Sequence, residues 1–227
     1  MTHAQTKTGL QEKRLFDTKA MVVLALLTAC AFLSVFLIRI PMFEFLKYEP
    51  KDIFITLGGF LYGPIAVVCM SVTVSFLEMV TISTTGPIGM LMNVIATVAF
   101  SATASIIYRH WKKAVSAYAG LICGALMMTG VMLLWNYLIS PMYMNLSREA
   151  LSAMLVPVFL PFNLIKSGLN AVLISLLYTP FLLIMKQTKL RDNTEDKKTA
   201  RHANLIFAGI VTVFLLVTCA GYALVLH

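Results

Sequence analysis

The sequence predicts an all-α integral membrane protein, a six-helix transmembrane bundle followed by an additional C-terminal transmembrane helix. Three observations carry that expectation. Hydrophobic residues make up 59% of the chain, charged residues only 12%, and mean hydropathy is +0.84, too apolar for a soluble domain with a polar surface. The apolar residues fall into runs at Met21 to Ile40, Ile53 to Tyr62, Ile65 to Ile82, Ile88 to Tyr108, Val115 to Ser140, Val158 to Met185 and Ala203 to His227. Most are long enough to cross ~30 Å of hydrocarbon at about 1.5 Å per residue. The 18 Lys and Arg residues, against 10 acids, sit in short segments between those runs, a pattern that records topology and argues against nucleic acid as a partner.

Residues 1–19 are polar and basic and precede about 20 apolar residues without a small-residue cleavage site, so the first run reads as an anchored helix. The second run is short. It carries Gly58 and Gly59, ends in Gly63-Pro64 and alone would rise only ~15 Å, which fits either a re-entrant segment or a short crossing. The positive-inside rule separates the two, because skipping one crossing reverses the side of every later loop. If the run crosses, with its helix starting near Pro50, the inside gains the basic clusters around Lys13, Lys112 and Lys197, and only Arg39, Lys47, Lys51 and Arg148 lie outside. The expected organisation is therefore a cytoplasmic N-terminal segment at 1–19, a membrane domain at 20–187, a charged cytoplasmic linker at 188–202 and the extra helix at 203–227. Cys30, Cys69, Cys123 and Cys219 fall inside apolar runs without CxxC pairing, which predicts buried small side chains and neither disulfides nor a metal site.

Lys166 lies in the middle of the sixth run. A cation there costs at least a few kcal/mol unless it faces protein, water or a ligand, so it marks a functional cavity. Asn163 and Asn170, three before and four after it, share its helical stripe. Three connections cluster on the outer side, Pro41 to Asp52, Ser83 to Pro87 and Pro141 to Pro157. Asn136 ends the fifth run there and Asn93 follows Gly86-Pro87 into the fourth, so Asn93, Asn136, Asn163, Lys166 and Asn170 are expected at one depth. A single intramembrane Asn is equally explained by an interhelical hydrogen bond worth roughly 0.6 to 2 kcal/mol; five together are not. Glu78, near the outer end of the third run, is read first as a carboxylate snorkelling to the interface, with a partner for Lys166 or a pocket wall as the alternatives.

The segments FLKYEPKDI at Phe45 to Ile53, STTGPIGMLMN at Ser83 to Asn93, WNYLISPMY at Trp135 to Tyr143 and PFNLIKSGLN at Pro161 to Asn170 resemble the riboflavin-specific substrate-binding (S) subunits of energy-coupling factor (ECF) transporters, the RibU family, over roughly Lys19 to Lys189. The resemblance implies a six-helix bundle with a short second helix. It implies riboflavin as the transported ligand, bound in an outward-facing pocket closed by the first outer loop. Its implied partners are a transmembrane coupling protein and two ABC-type ATPases in a bacterial cell membrane. Carried over by position, Asn93, Asn136 and Lys166 would hydrogen-bond the flavin, and the loop residues Tyr48, Glu49 and Asp52 would belong to a lid; an ordinary solvated loop is the other reading of those charges. A flat aromatic ring with polar edges needs apolar walls, which Met90, Leu91, Phe159, Phe162 and Tyr48 supply, plus a few donors and acceptors. Ala25 and Ala29 match the family's alanine spacing at the coupling-protein interface, whereas Gly120 and Gly124 read as internal packing. The run from Ala203 has no counterpart in the resemblance.

Enzyme chemistry finds no support. His3, His110, His202 and His227 form no HExxH, and no metal-ligand spacing or GxxxxGK[ST] appears. Ser167 points about 100° away from Lys166 on a helix, which disfavours a Ser/Lys dyad. The expected function is vitamin capture without resident cofactor, metal or ATPase, energised by partner proteins. Another flavin such as FMN or FAD, a different vitamin, or a membrane scaffold are the alternatives.

Overall fold

The computed structural model describes residues 17–42, 46–83, 85–111, 113–144, 146–187, 205–213, 215, 216 and 218. Helix α1 (Thr18–Leu37) leads through a hairpin, β1 (Ile40–Pro41) and β2 (Lys47–Tyr48), into α2 (Lys51–Tyr62), α3 (Pro64–Thr81), α4 (Gly86–Trp111) and α5 (Ala114–Leu138). A 3-10 turn at Ser140–Met142 then precedes α6 (Arg148–Met154), which continues through a π turn (Leu155–Phe159) into α7 (Leu160–Gln187). Five stretches, Thr18–Leu37, Pro64–Thr81, Gly86–Trp111, Ala114–Met142 and Arg148–Phe181, are long and apolar enough to span a membrane. Their outer faces expose Leu26, Phe36, Val80, Leu126 and Val156. Such faces suit a multi-pass membrane protein, whose interfaces close by packing and whose perimeter meets lipid.

The short helix α2 lies at the centre. Its 12 residues rise about 18 Å and pack against α1, α3, α4 and α7. Ile53, Ile55, Thr56, Leu57, Gly58, Gly59 and Phe60 are all buried and only Phe54, Leu61 and Tyr62 are partly exposed, so α2 is held mainly by tertiary contact. It ends where Gly63 takes φ 98°, a conformation that glycine alone adopts without a Cβ penalty. Pro64 then opens α3 at a position where its missing N–H is not needed.

The α4–α5 pair meets backbone against backbone. A Cβ on Gly120 would lie 2.7 Å from the Ala104 carbonyl oxygen, and one on Gly124 2.5 Å from that of Phe100. Both obstacles are backbone, so the helix axes would have to separate. Behind this pair, Phe60 and Tyr108 each meet Tyr178 edge-on, with the two tyrosine hydroxyls 3.1 Å apart.

Three features differ from expectation. The first outer loop is an antiparallel hairpin, Ile40 opposite Tyr48 and Pro41 opposite Lys47; two-residue strands at an edge tolerate Pro41 and leave almost no periodic trace in the sequence. Helix begins at Arg148, ten residues before Val158, because Ser147 caps it by accepting from the Ala150 N–H at 3.2 Å and a π turn absorbs Pro157. Cys30, Cys69 and Cys123 are exposed, not buried. Their runs are lipid-facing on that side, where a small thiol is as acceptable as in the core. Residues 205–213 are helical and pack on the bundle: Phe207 stacks on Tyr118 with centroids 4.5 Å apart, and Leu215 fills the space beside Gly168. Residues 1–16, the linker at 188–202, and 203, 204 and 219–227 of the expected helix lie outside the described residues.

Substituting Gly124→Val inserts a branched side chain against backbone, so thermal unfolding in detergent should show a loss of about 1–3 kcal/mol. Gly130, around which a Cβ meets nothing within 4 Å, is the control. Gly130→Ala should be neutral or gain about 0.5–1 kcal/mol; equal effects at both sites would contradict the close-packing account.

Candidate functional site

The hairpin and the adjoining ends of α4, α5 and α7 enclose a cavity of about 150 Å³. Arg39, Leu46, Lys47 and Glu49 contribute from the hairpin region, and Ser83 and Thr85 from the α3–α4 turn. Met92, Asn93 and Ala96 come from α4, Met128, Met132 and Asn136 from α5, and Phe162, Asn163 and Lys166 from α7. Lys166 is 7% exposed. Among the described residues, no hydrogen bond or ion pair engages its ammonium group. A cation so placed has its charge directed into the cavity.

The asparagines around it are oriented by the protein. Asn136 Nδ2 donates to the Met132 carbonyl at 2.8 Å and its Oδ1 accepts from Ser140 Oγ at 2.9 Å. Asn163 Nδ2 donates to the Phe159 carbonyl at 2.7 Å, and Asn93 Nδ2 to Glu78 Oε2 at 2.9 Å. In all three the amide nitrogen is engaged by the protein.

Behind the cavity wall runs an alternating chain of charge. Arg39 donates through Nη1 to the Ile82 carbonyl at 3.2 Å and holds Glu49 Oε1 through Nε at 3.0 Å and Nη2 at 2.9 Å. Glu49 Oε2 accepts from Lys51 Nζ at 3.2 Å, and that ammonium sits 2.7 Å from both oxygens of Glu78. Lys51, Glu78 and Asp52 are at most 1% exposed. Glu78 therefore does not snorkel. A buried carboxylate costs several kcal/mol in desolvation, and a bidentate ammonium repays that only when the partner is equally buried, as Lys51 is. Nor is the loop before α2 an ordinary solvated one: Tyr48, Glu49, Lys51 and Asp52 are all buried.

Burial pushes the Glu49 carboxyl up, yet Lys51, Lys166 and Arg39 together outweigh it and hold the group below the usual carboxylate range. Burial, helped by the charge of Asp52, pushes the Tyr48 hydroxyl well above the usual phenol range and keeps it a neutral donor. Tyr48 donates to Asn170 Oδ1 at 2.9 Å, while Asn170 Nδ2 and Thr97 Oγ1 donate to the two oxygens of Asp52 at 2.9 and 2.7 Å. One hydrogen-bonded hub thus ties the hairpin to α2, α4 and α7.

The structure brings Glu49, Asn93, Asn136, Asn163 and Lys166 to the cavity. Tyr48 and Asn170 are not among its lining; they belong to the hub one turn further along α7. Met90 is partly buried outside the lining, and its neighbour Met92 takes the wall position. Leu91 faces outward, 53% exposed. Ala25 and Ala29 lie on the exposed side of α1, where they border an apolar groove with Cys69, Met70, Thr73 and Leu77 of α3. Sequence reasoning missed Arg39, Lys47, Ser83, Thr85, Ala96, Met128 and Met132. Met128 and Met132 were recoverable, since they stand eight and four residues before Asn136 on one helical stripe; the hairpin cations carry no periodic signal.

The family described as "ECF transporter, substrate-specific component" matches residues 19–178. The chain is 28% identical to Riboflavin transporter RibU of Staphylococcus aureus over 187 residues, covering 79% of this chain and 98% of the relative. It is likewise 28% identical to Riboflavin transporter FmnP of Bacillus subtilis over 172 residues, 70% of this chain and 90% of the relative. A solved S component of a bacterial ECF transporter superposes with TM-score 0.63 at 26% identity, covering 74% of this chain and 98% of that one. An apolar helical bundle with a lidded polar cavity, matched over most of its length by this family and this fold, belongs to the substrate-specific components of ECF transporters.

Proposed function

We propose that the chain captures riboflavin from the outer side of a bacterial cell membrane and hands it across with an ECF coupling protein and two ABC-type ATPases. The observation that carries this reading is the Lys166 ammonium, which lines a cavity of asparagines and methionines and has no hydrogen-bond or ion-pair partner among the described residues, Glu49 acting on it only at longer range. The names of the two relatives supply the ligand class. Isoalloxazine offers carbonyl acceptors to Lys166 and flat apolar surface to Phe162, Met128 and Met132, while Asn93, Asn136 and Asn163 supply polar contacts for the ring edge or ribityl hydroxyls.

With the hairpin docked, the cavity of about 150 Å³ falls short of the roughly 300 Å³ at which ligand pockets begin. Binding in this proposal therefore moves the hairpin. Tyr48 and Asn170 act as its anchor on the bundle, Glu49 as its ionic clasp, and Met90 lies behind the wall that Met92 forms. The N-terminus is cytoplasmic by the distribution of basic residues, which places the cavity outside. Ala25 and Ala29 are the docking points for the coupling protein, where small side chains permit close helix approach. The apolar run from Ala203 is, in this proposal, an additional transmembrane helix at the edge of the bundle, of which residues 205–213 are described as helical. Lys47 at the mouth favours FMN as a second reading, since its phosphate would meet a cation there.

Riboflavin titrated into the purified chain should lose fluorescence saturably, and excess FMN tests the second reading by competition. Lys166→Met should weaken riboflavin binding about 10- to 100-fold while leaving thermal stability unchanged or higher, because a buried cation without a direct protein partner is removed. A variant that loses stability but keeps affinity would make Lys166 a structural residue.

The depressed carboxyl of Glu49 sets the pH dependence. A carboxylate lowered in the folded state stabilises the docked hairpin above its unfolded value of about 4.3 and ceases to do so as pH falls through the lower folded value. Stopped-flow riboflavin association, which requires the hairpin to leave its docked position, should accordingly stay constant from about pH 8 to pH 5 and accelerate below about pH 4. Glu49→Gln should bind quickly at every pH. Acceleration already between the two upper values would assign the clasp to another group.

A further inference from the structure

Glu78 is a buried carboxylate to which flavin capture gives no task. It does not line the cavity, yet it touches a residue that does. Its oxygens lie 2.7 Å from Lys51 Nζ, which already completes an ion pair. The further bond from Asn93 Nδ2 to Oε2 is not required for charge balance.

Its consequence falls inside the cavity. A carboxylate only accepts, whereas an amide donates through nitrogen and accepts through oxygen. Turning the Asn93 amide over would set Oδ1 against Glu78 Oε2, two acceptors face to face, so the orientation is fixed by chemistry. Asn93 Oδ1 is then held as an acceptor of fixed position beside the second Nδ2–H, and no described residue donates to it. The corresponding oxygen of Asn136 differs, because it is occupied by Ser140 Oγ.

We infer that Glu78 is a positioning residue for substrate recognition: it locks Asn93 as an acceptor and so selects a ligand edge that carries an N–H or O–H donor. This rests on the flavin reading. The uracil-like edge of isoalloxazine bears one ring N–H between two carbonyls, and the ribityl chain bears hydroxyls. Asn93 reads one of those donors, and Lys166 supplies the complementary donor to an acceptor of the same molecule. Lys51 has a matching role, since it holds the Glu78 carboxylate in place from the hairpin side.

The test is a double-mutant cycle of riboflavin affinity by fluorescence titration on the full chain: parent, Glu78→Gln, Asn93→Ala and the combination. Glu78→Gln keeps the volume but lets either face of the Asn93 amide find a partner. It should weaken riboflavin binding about tenfold in the parent and no more than about twofold when Asn93 is already Ala. An equal loss in both backgrounds would make Glu78 purely structural and overturn the inference, as would no loss in the parent. Should Glu78→Gln not fold, Lys51→Met with Glu78→Leu replaces the pair by apolar residues of similar size. The penalty should then be at least about fivefold smaller in the Asn93→Ala background, and an unchanged penalty overturns the inference. A parent chain that binds no riboflavin removes the capture reading itself, whereas binding with additive penalties removes only the role of Glu78.

Discussion

Charge buried in an apolar bundle must be compensated, and the way this protein compensates each group organises everything near the hairpin. Arg39, Glu49, Lys51 and Glu78 neutralise one another in sequence. Asp52 is satisfied by neutral donors from Thr97 and Asn170. Lys166 alone of these groups has no protein partner among the described residues and faces a cavity. The bundle therefore holds one ammonium group without a hydrogen-bond or ion-pair partner among the described residues at a place a small polar molecule can reach, and affinity for such a molecule is the expected consequence.

The same groups tie the cavity to the hairpin. Glu49 is at once a hairpin residue, a cavity wall and the link between Arg39 and Lys51. Tyr48 reaches from β2 to Asn170 on α7, a separation of 122 residues bridged by one hydrogen bond. Displacing the hairpin breaks both contacts together, and a ligand that contacts Lys166 changes the field that helps hold Glu49 ionised. On the other side of the cavity the α4–α5 pair, whose glycines bring the backbones into contact, carries Asn93 and Asn136.

The bundle and half of the cavity were legible in the sequence because hydrophobic runs and interruptions within them are direct physical signals. Lys166, Asn163, Asn136 and Asn93 each break an apolar stretch, and each lines the cavity. Glu78 also breaks one, but a sequence does not reveal that Lys51, from a connection rich in charges, turns inward to meet it. Asn170 shares the stripe of Lys166 and still serves a different purpose, since one helical turn separates the cavity from the Asp52 hub. The hairpin and the helical start at Arg148 were hidden for a related reason. Two-residue strands have no period, and a π turn around Pro157 looks like a helix stop until the packing around it is known.

The most direct examination of the central claim is an experimentally determined structure of the riboflavin-loaded chain. The account predicts the flavin in the cavity beneath the hairpin, with a carbonyl or hydroxyl oxygen about 3 Å from Lys166 Nζ and the hairpin displaced from its docked position. A flavin bound elsewhere, or a Lys166 ammonium held by a protein group or a lipid phosphate while the ligand is present, would contradict it.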